Sequence, residues 1–574
     1  MIKFLFFLIS FSLLTLLTFA QRNEIIRPDG SSITVNIIDQ KIQQLMDGAG
    51  VAGLAVGIIQ DNKPVFIKSY GYKNKILNQP GTVNTSLYAA SFTKPLFAYL
   101  VMQLVDQKRI DLDKPLYQYL SKPLPEYPGY KDLQGDDRWK TITARHCLSH
   151  TTGFPNWRFL NPKGTQKLEI FFMPGSRYAY SGEGLYLLQM VIETITGKKL
   201  EELAREQVFT PLGMVRSSFI WQPVFNSDYA NGHSVDEDTF AVKKRSEANA
   251  GGSMQTTITD YINFIAAVLQ GKGLSEAAKR EMLSPQIDIN SKKQFPTLNN
   301  DTTDQYRSIQ LSYGLGWGLF NTGSYGRAFF KEGHSDDGWE HYLIALPEKK
   351  TALVIMGNSM NSESIYKELV ATVMGVNIPW EWEGYIPYKP AVKLSGNLLQ
   401  KYTGRYTGKF NAIFSLENEQ LKVESADAGL AKTALYATSE DRFFMRALPV
   451  TLEFLKNSKG EVEKIKVNDG EEKYELTKQT ETDTTVVTLS SDLLKSYVGT
   501  YQLKGESRKL KVELGKQELF ISLGKEKMPL SFYSDTRFKA KSVFDITGEF
   551  VIKNEKVVTL IMYQNGRFDW ERVE

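Results

Sequence analysis

The sequence predicts an α/β domain over residues 22–378, then two small antiparallel β domains over 396–480 and 490–574. Three observations carry this reading. Apolar, β-branched runs lie near both ends of the first region, with helical patterns between them. Beyond residue 379 the pattern changes to short strand-like stretches separated by turns. Those stretches repeat once, at an interval of about 95 residues from Leu399 to Leu494. The length agrees, since 574 residues exceed what one domain of about 100–200 residues holds.

The first twenty residues stand apart. Lys3 is followed by a nearly unbroken apolar run, Phe4 to Leu17, and by Thr18-Phe19-Ala20 with small residues at both ends. This reads as a secretory signal peptide over 1–20, cut before Gln21, and predicts an exported protein, periplasmic or secreted. The run is at or below the ~17–25 residues of a spanning helix, and no later segment is long and apolar enough to span. No stable membrane span is expected after cleavage. Cys147 is the only cysteine, so no intrachain disulfide can form, and its thiol reads as a buried packing group.

A helix is expected around Ile38–Met46. Val51–Ile59 and Pro64–Tyr70 flank Gln60-Asp61-Asn62-Lys63 as a hairpin. Phe97–Val105 and Leu185–Thr196 carry apolar residues at helical spacing, the second ended by Gly197. Tyr342–Pro347 and Thr351–Asn358 read as two buried strands across a charged turn, and Ser362–Met374 as a helix. The aromatic and proline-rich stretch Trp380–Pro390, with Trp382, Tyr385 and Tyr388, reads as a linker within 379–395, packed against both sides. Leu399-Gln400-Lys401-Tyr402-Thr403-Gly404-Arg405-Tyr406 then matches Leu494-Lys495-Ser496-Tyr497-Val498-Gly499-Thr500-Tyr501 in an L-x-x-Y-x-G-x-Y frame. The period is too long for a solenoid unit and fits two copies of a small β domain.

Hydrophobic residues at 42% and charged residues at 23% fit a globular chain rather than a disordered one. A formal net charge of +4 with no basic run argues against nucleic-acid binding.

Tyr88-Ala89-Ala90-Ser91-Phe92-Thr93-Lys94-Pro95 is the segment with the clearest chemistry. With Ser91 capping the following helix, Lys94 lies over the same face, and Pro95 falls where a missing N–H loses no helical bond. A serine needs a neighbour to take its proton, and a lysine can do so only if its own proton affinity is lowered. The spacing recurs in Ser364-Ile365-Tyr366-Lys367 and Ser522-Leu523-Gly524-Lys525, read as an exposed helix face and a strand–turn. Ser91 differs in its company. Arg177-Tyr178-Ala179-Tyr180-Ser181-Gly182 precedes a helix, and Glu332-Gly333-His334-Ser335-Asp336-Asp337-Gly338 precedes a strand. These supply a hydroxyl, a phenol and a basic ring within one domain, although Tyr180 also reads as a core tyrosine and His334 as a turn histidine.

The order S-x-x-K, Y-S-x, H-x-x before a strand resembles class C β-lactamases, D-alanyl-D-alanine carboxypeptidases and related esterases. Ile142–Gly153, Pro174-Gly175, Pro211-Leu212-Gly213-Met214 and Ala250-Gly251-Gly252-Ser253-Met254 support the resemblance, which runs from about Ile37 to Met374. It implies a β-lactamase/transpeptidase-like fold: an antiparallel sheet with helices on both faces and a helical lobe. It also implies that Ser91 is acylated and that Lys94 and Tyr180 pass its proton. His334 then stands where β-lactamases have a lysine, and the oxyanion hole combines the N–H groups of Ser91 and, after His334, Asp337. Ser181 and Ser335 fall at substrate-side positions. No metal or other cofactor is implied.

Two departures stand out. Gly182 replaces an asparagine that would bind a substrate carbonyl, and Asp336 replaces a glycine, bringing a side chain and a negative charge to the site. The expected partner is a small-molecule or peptide substrate, cell-wall peptidoglycan included: a D-amino-acid peptide, a stem peptide, a small ester or a β-lactam. A catalytically weak binding or sensor protein, using its C-terminal domains to hold a cell-wall ligand, is the rival class. D-aminopeptidases of the same family resemble this layout, with two barrels after the catalytic domain. Of the other histidines, His146 and His150 read as loop packing, His233 as a turn residue and His341 as a surface residue.

Overall fold

The computed structural model describes residues 23–574, apart from 296–297, 299–301, 447, 471, 480–485, 517, 524–525, 542–545, 555, 564–566 and 574. The signal-peptide expectation lies outside the described residues. The chain divides into two compact units, one reaching Tyr388 and one beginning at Lys389.

The first unit is built on nine strands: β1 (Gly53–Gln60), β2 (Lys63–Asn74), β3 (Gln79–Pro80), β4 (Ile287–Asp288), β5 (Ser312–Tyr313), β6 (Gly318–Asn321), β7 (Arg327–Ser335), β8 (Trp339–Leu346) and β9 (Thr351–Gly357). Their order is β3-β2-β1-β9-β8-β7-β6-β5-β4, antiparallel throughout. Every residue of β1, β8 and β9 is buried, because helices cover both faces. Alternation along the strands sorts side chains between two cores. Phe329, Leu343, Ala345, Val354 and Met356 pack with α2 (Thr93–Asp106) and α4 (Ile258–Gln270). Phe330, Tyr342, Ile344, Leu353 and Ile355 pack with α1 (Val35–Ala49) and α5 (Tyr366–Met374). Gly57 lets α4 approach β1 closely, since a Cβ there would lie 2.4 Å from Ile262 Cδ1.

The helix expected at Leu185–Thr196 is α3 (Gly182–Thr196), and Gly197 ends it in the left-handed region at φ 71°. Ser362–Met374 is a 3₁₀ turn, Ser362–Ile365, running into α5. Cys147 is buried in the short helix Ala144–Leu148. The expected linker differs. Trp380–Glu383 is a short helix, and Trp382 is fully buried in the core that holds Tyr342 and Tyr366. Tyr385 and Tyr388 pack on the same core, so residues 379–388 belong to the first unit rather than to a linker. Four large aromatic side chains in a short stretch are driven out of water more strongly than two prolines hold them in it.

The second unit holds the two repeats. Between Gly404 and Lys478 nine antiparallel strands form one sheet, and between Gly499 and Arg572 eight strands close into a barrel. The shared sequence frame makes the same bonds in both. Tyr402 Oη donates to Glu440 O at 2.6 Å and Tyr406 Oη to Tyr402 O at 3.0 Å. Tyr497 Oη donates to Asp535 O at 2.6 Å and Tyr501 Oη to Tyr497 O at 2.8 Å. Among the described residues, no helix is long and apolar enough to cross a membrane.

Candidate active site

Ser91 does not cap α2. It sits inside a 3₁₀ turn, Ala90–Phe92, and Phe92 takes the cap position without a side-chain bond. Ala90, immediately before it, has φ 46°, a left-handed conformation that costs a non-glycine residue on the order of 1 kcal/mol or more. The Thr93 hydroxyl donates to Ala90 O at 2.6 Å and helps hold this turn. The turn presents Ser91 while α2 carries Lys94 beneath it.

Lys94 Nζ lies 2.8 Å from Ser91 Oγ and donates to Gly251 O at 2.6 Å. That carbonyl is placed by Asn249, whose Oδ1 accepts from the Gly251 and Gly252 N–H groups. Lys94 is 1% exposed. Burial and the nearby Lys331 ammonium push its pKa well below the usual lysine value, against a smaller opposing pull from Glu332. The amine is therefore suited to be neutral and to take a proton.

Lys331 was not anticipated from sequence. It is fully buried on β7, with its ammonium 4.9 Å from the Tyr180 ring centroid and paired with the Glu332 carboxylate. Burial alone would lower its pKa, but Glu332 and Tyr180 outweigh that and raise it. Gln294 holds Glu332 Oε1 at 2.6 Å. Two lysines thus share one hollow with pKa values pushed in opposite directions, Lys331 upward by its carboxylate and Lys94 downward by burial and by Lys331. The sequence signal was present in Lys331-Glu332-Gly333, a lysine two residues before a glycine at the end of an apolar strand.

Tyr180 Oη is buried and makes no hydrogen bond of standard geometry, yet Ser91 and Lys331 lie close enough to draw its pKa down against burial, which raises it overall. Lys94 Nζ stands 4.9 Å from the centroid of its ring. His150 packs behind it at 4.2 Å between ring centroids, and His150 Nδ1 accepts from Ser181 N–H at 3.1 Å. Burial, with the Lys331 ammonium adding to it, pushes the His150 pKa well below the usual histidine value. The loop histidine thereby fixes the backbone beside Tyr180.

The other expected site residues fall elsewhere. His334 and Lys331 are three positions apart on β7, so their side chains leave opposite faces of the sheet. The His334 ring pairs with Glu340 at 2.6 Å and Asp336 at 3.3 Å, and is 54% exposed. Ser181 is a helix cap: its Oγ donates to Pro155 O and accepts from Gly184 N–H. Ser335 Oγ donates to the Asp337 carboxylate, which also pairs with Lys243 at 2.9 Å. The Asp337 carbonyl packs on Gly232, where a Cβ would approach it to 1.8 Å, so this turn is committed to the loop at Gly232. Asp336 is fully exposed on the His334 side and does not crowd Ser91. His341, expected at the surface, is buried and bonds Tyr88 O at 2.8 Å. At Gly182 the space of the missing side chain is taken by Trp157, whose ring would lie 2.4 Å from a Cβ. Of the second Ser-x-x-Lys match, Ser364 donates to Asn361 O and Lys367 lies over the Trp380 ring, so no activated pair forms.

β6 pairs with β7 only as far as Phe330. Among the described residues no strand pairs with that edge from Lys331 onward, and it runs beside the turn carrying Ser91. Gly333 permits the approach, since a Cβ there would lie 3.2 Å from Ala89 O. Lys331 Nζ donates to Glu332 O at 3.0 Å, so the Glu332 carbonyl points off this edge. Two residues on, the main chain of His334 faces the same way.

The Beta-lactamase family model matches residues 38–371. The chain belongs to the Beta-lactamase family. The match spans more than half of the sequence and contains Ser91, Lys94, Tyr180 and Lys331. Penicillin-binding protein 4* of Bacillus subtilis is 25% identical over 433 residues, covering 67% of this chain and 86% of that protein. The D-alanyl-D-alanine-carboxypeptidase/endopeptidase AmpH of Escherichia coli K12 is 27% identical over 208 residues, 33% of this chain and 50% of that protein. An octameric penicillin-binding protein homologue from Pyrococcus abyssi matches in fold with a TM-score of 0.50 at 20% identity, over 78% of this chain and all of that one. Like its family, this β-lactamase-type chain is a serine hydrolase.

Proposed function

We propose that this hydrolase cleaves an amide or ester bond in a D-amino-acid peptide or peptidoglycan stem through an acyl-enzyme on Ser91. The observation that carries the reading is the 2.8 Å contact between Ser91 Oγ and the buried Lys94 amine, whose pKa burial and Lys331 push well down. Lys94 takes the Ser91 proton as Oγ bonds to the substrate carbonyl carbon. Tyr180, beside both lysines, relays that proton to the leaving nitrogen or oxygen as the scissile bond breaks. Water then attacks the acyl carbon and releases Ser91. Lys331 positions the Tyr180 hydroxyl and keeps Lys94 neutral.

The oxyanion hole consists of the Ser91 N–H and, in place of the expected Asp337, the His334 N–H on the free edge of β7. One such donor contributes about 2.7–4 kcal/mol to lowering the barrier. The substrate class rests on the family and on the relatives named for D-alanyl-D-alanine peptides and penicillin. The reading also implies an exported enzyme.

Intact-protein mass spectrometry with a penicillin or fluorophosphonate probe tests this, followed by D-alanyl-D-alanine and D-aminoacyl peptides. One adduct on the parent chain and none on Ser91→Ala is expected. A folded parent chain that takes no adduct and turns over no peptide would instead support the binding or sensor class.

A further inference from the structure

We propose that His334, Glu340 and Glu363 form a divalent transition-metal site, suited to zinc, on the sheet face opposite Ser91. The possible ligand atoms of these three residues all lie within 4.8 Å of one another. They come from three elements: the end of β7, the start of β8, and the 3₁₀ turn Ser362–Ile365. His334 Nδ1 already sits 2.6 Å from Glu340 Oε1.

The second observation concerns the other side of the ring. His334 Nε2 lies 3.3 Å from Asp336 Oδ1. With Nδ1 on a metal, Nε2–H donates to Asp336, and the carboxylate fixes the tautomer and ring orientation of a ligating histidine. Charge points the same way. Glu340, Glu363 and Asp336 bring three carboxylates to one imidazole, and among the described residues the ion pairs of Glu340 and Asp336 are with His334 alone. The Glu340 side chain is only 4% exposed, and among the described residues the His334 ring is its one cationic partner. A dication in place of the ring's proton would balance more of the charge of the three carboxylates, and the half-exposed His334 ring gives it a route in from solvent.

The donor set selects the ion. One imidazole nitrogen with two carboxylate oxygens suits zinc, whose bonds to such atoms are about 2.0–2.2 Å. Calcium takes about 6–8 oxygens, and copper(I) prefers sulfur. Ligands on a tetrahedral ion stand roughly 3.3 Å apart, so on binding the 2.6 Å His334–Glu340 contact opens slightly while the longer separations, up to 4.8 Å, close. The ion would tie β7, β8 and the turn after β9 together. Resting on the proposed function, it would also stiffen the segment whose His334 N–H serves the oxyanion hole.

Zinc titration of the purified chain, free of any affinity tag, by calorimetry and visible absorption with cobalt as the spectroscopic substitute, tests the site. One equivalent with Kd of about 10 µM or tighter and tetrahedral cobalt bands are expected. Glu363→Gln, nearly isosteric and checked for an unchanged melting temperature, and His334→Ala should each weaken binding at least about tenfold. Ser91→Ala should bind as the parent does, which separates this site from the hydrolase reading. No binding up to about 1 mM zinc, or undiminished binding by both variants, overturns the proposal.

Discussion

The two faces of β7 handle buried charge in opposite ways. Toward α2, Lys331 is sealed from water beside a second lysine, and burial together with Lys331 pushes the pKa of Lys94 well down. Toward α5, carboxylates gather around a histidine that stays half exposed. The first arrangement stores reactivity, since a neutral lysine beside a serine is a base held ready. The second gathers negative charge around one cation and offers no nucleophile. A strand that alternates sides every residue lets a single segment of sequence build both.

The largest expected effect breaks the first face. Lys94→Met removes the base, and the acylation rate should fall by about 10²–10⁴-fold in single-turnover kinetics while the fold persists. An acylation rate within twofold of the parent would remove Lys94 from the mechanism.

A smaller effect sharpens the contrast between the faces. Lys331→Met should lower acylation about tenfold at neutral pH. It should also shift the acid limb of the kcat/KM profile. Lys94 acts only when deprotonated, and Lys331 helps to hold its pKa down, so without Lys331 that pKa rises and the limb moves to higher pH. His334→Ala should leave the limb in place. The reverse pattern would return the role to His334.

The smallest effect lies away from β7. Tyr402→Phe and Tyr497→Phe each remove one hydroxyl bond in equivalent places of the two repeats. Each should cost about 1 kcal/mol in denaturant melts of the chain and leave acylation unchanged. A loss in only one repeat would show that their shared sequence frame does not do the same structural work.

The elements with unbroken periodicity were readable in advance: the β1–β2 hairpin, α2, α3, β8, β9 and the repeated L-x-x-Y-x-G-x-Y frame. Ser91, Lys94 and Tyr180 lie near one another, although Ser91 does not cap α2 as its spacing suggested. Lys331 was hidden because a lysine between Phe330 and Glu332 reads as a solvated strand position. His334 drew attention instead because its residue type matched the expected pattern. A shift of three positions on a strand exchanges one face for the other, and local sequence does not fix that register. Trp157 and His150 were equally hard to see, since one fills space beside Gly182 and the other bonds the backbone at Ser181, both long-range consequences of packing. Trp382 failed as a linker residue for the same reason: composition resembled a loop, and burial decided otherwise.

Cys147 has a practical consequence. It is the sole thiol in 574 residues, it is buried, and burial raises its pKa well above the usual thiol value. It lies in the unit that carries Ser91, and the repeats contain no sulfhydryl. A thiol-reactive dye therefore has one target on the whole molecule and reaches it only when the catalytic unit opens. Labelling kinetics would time that opening against a background silent to any motion of the barrels, giving the protein a built-in clock for one of its two halves.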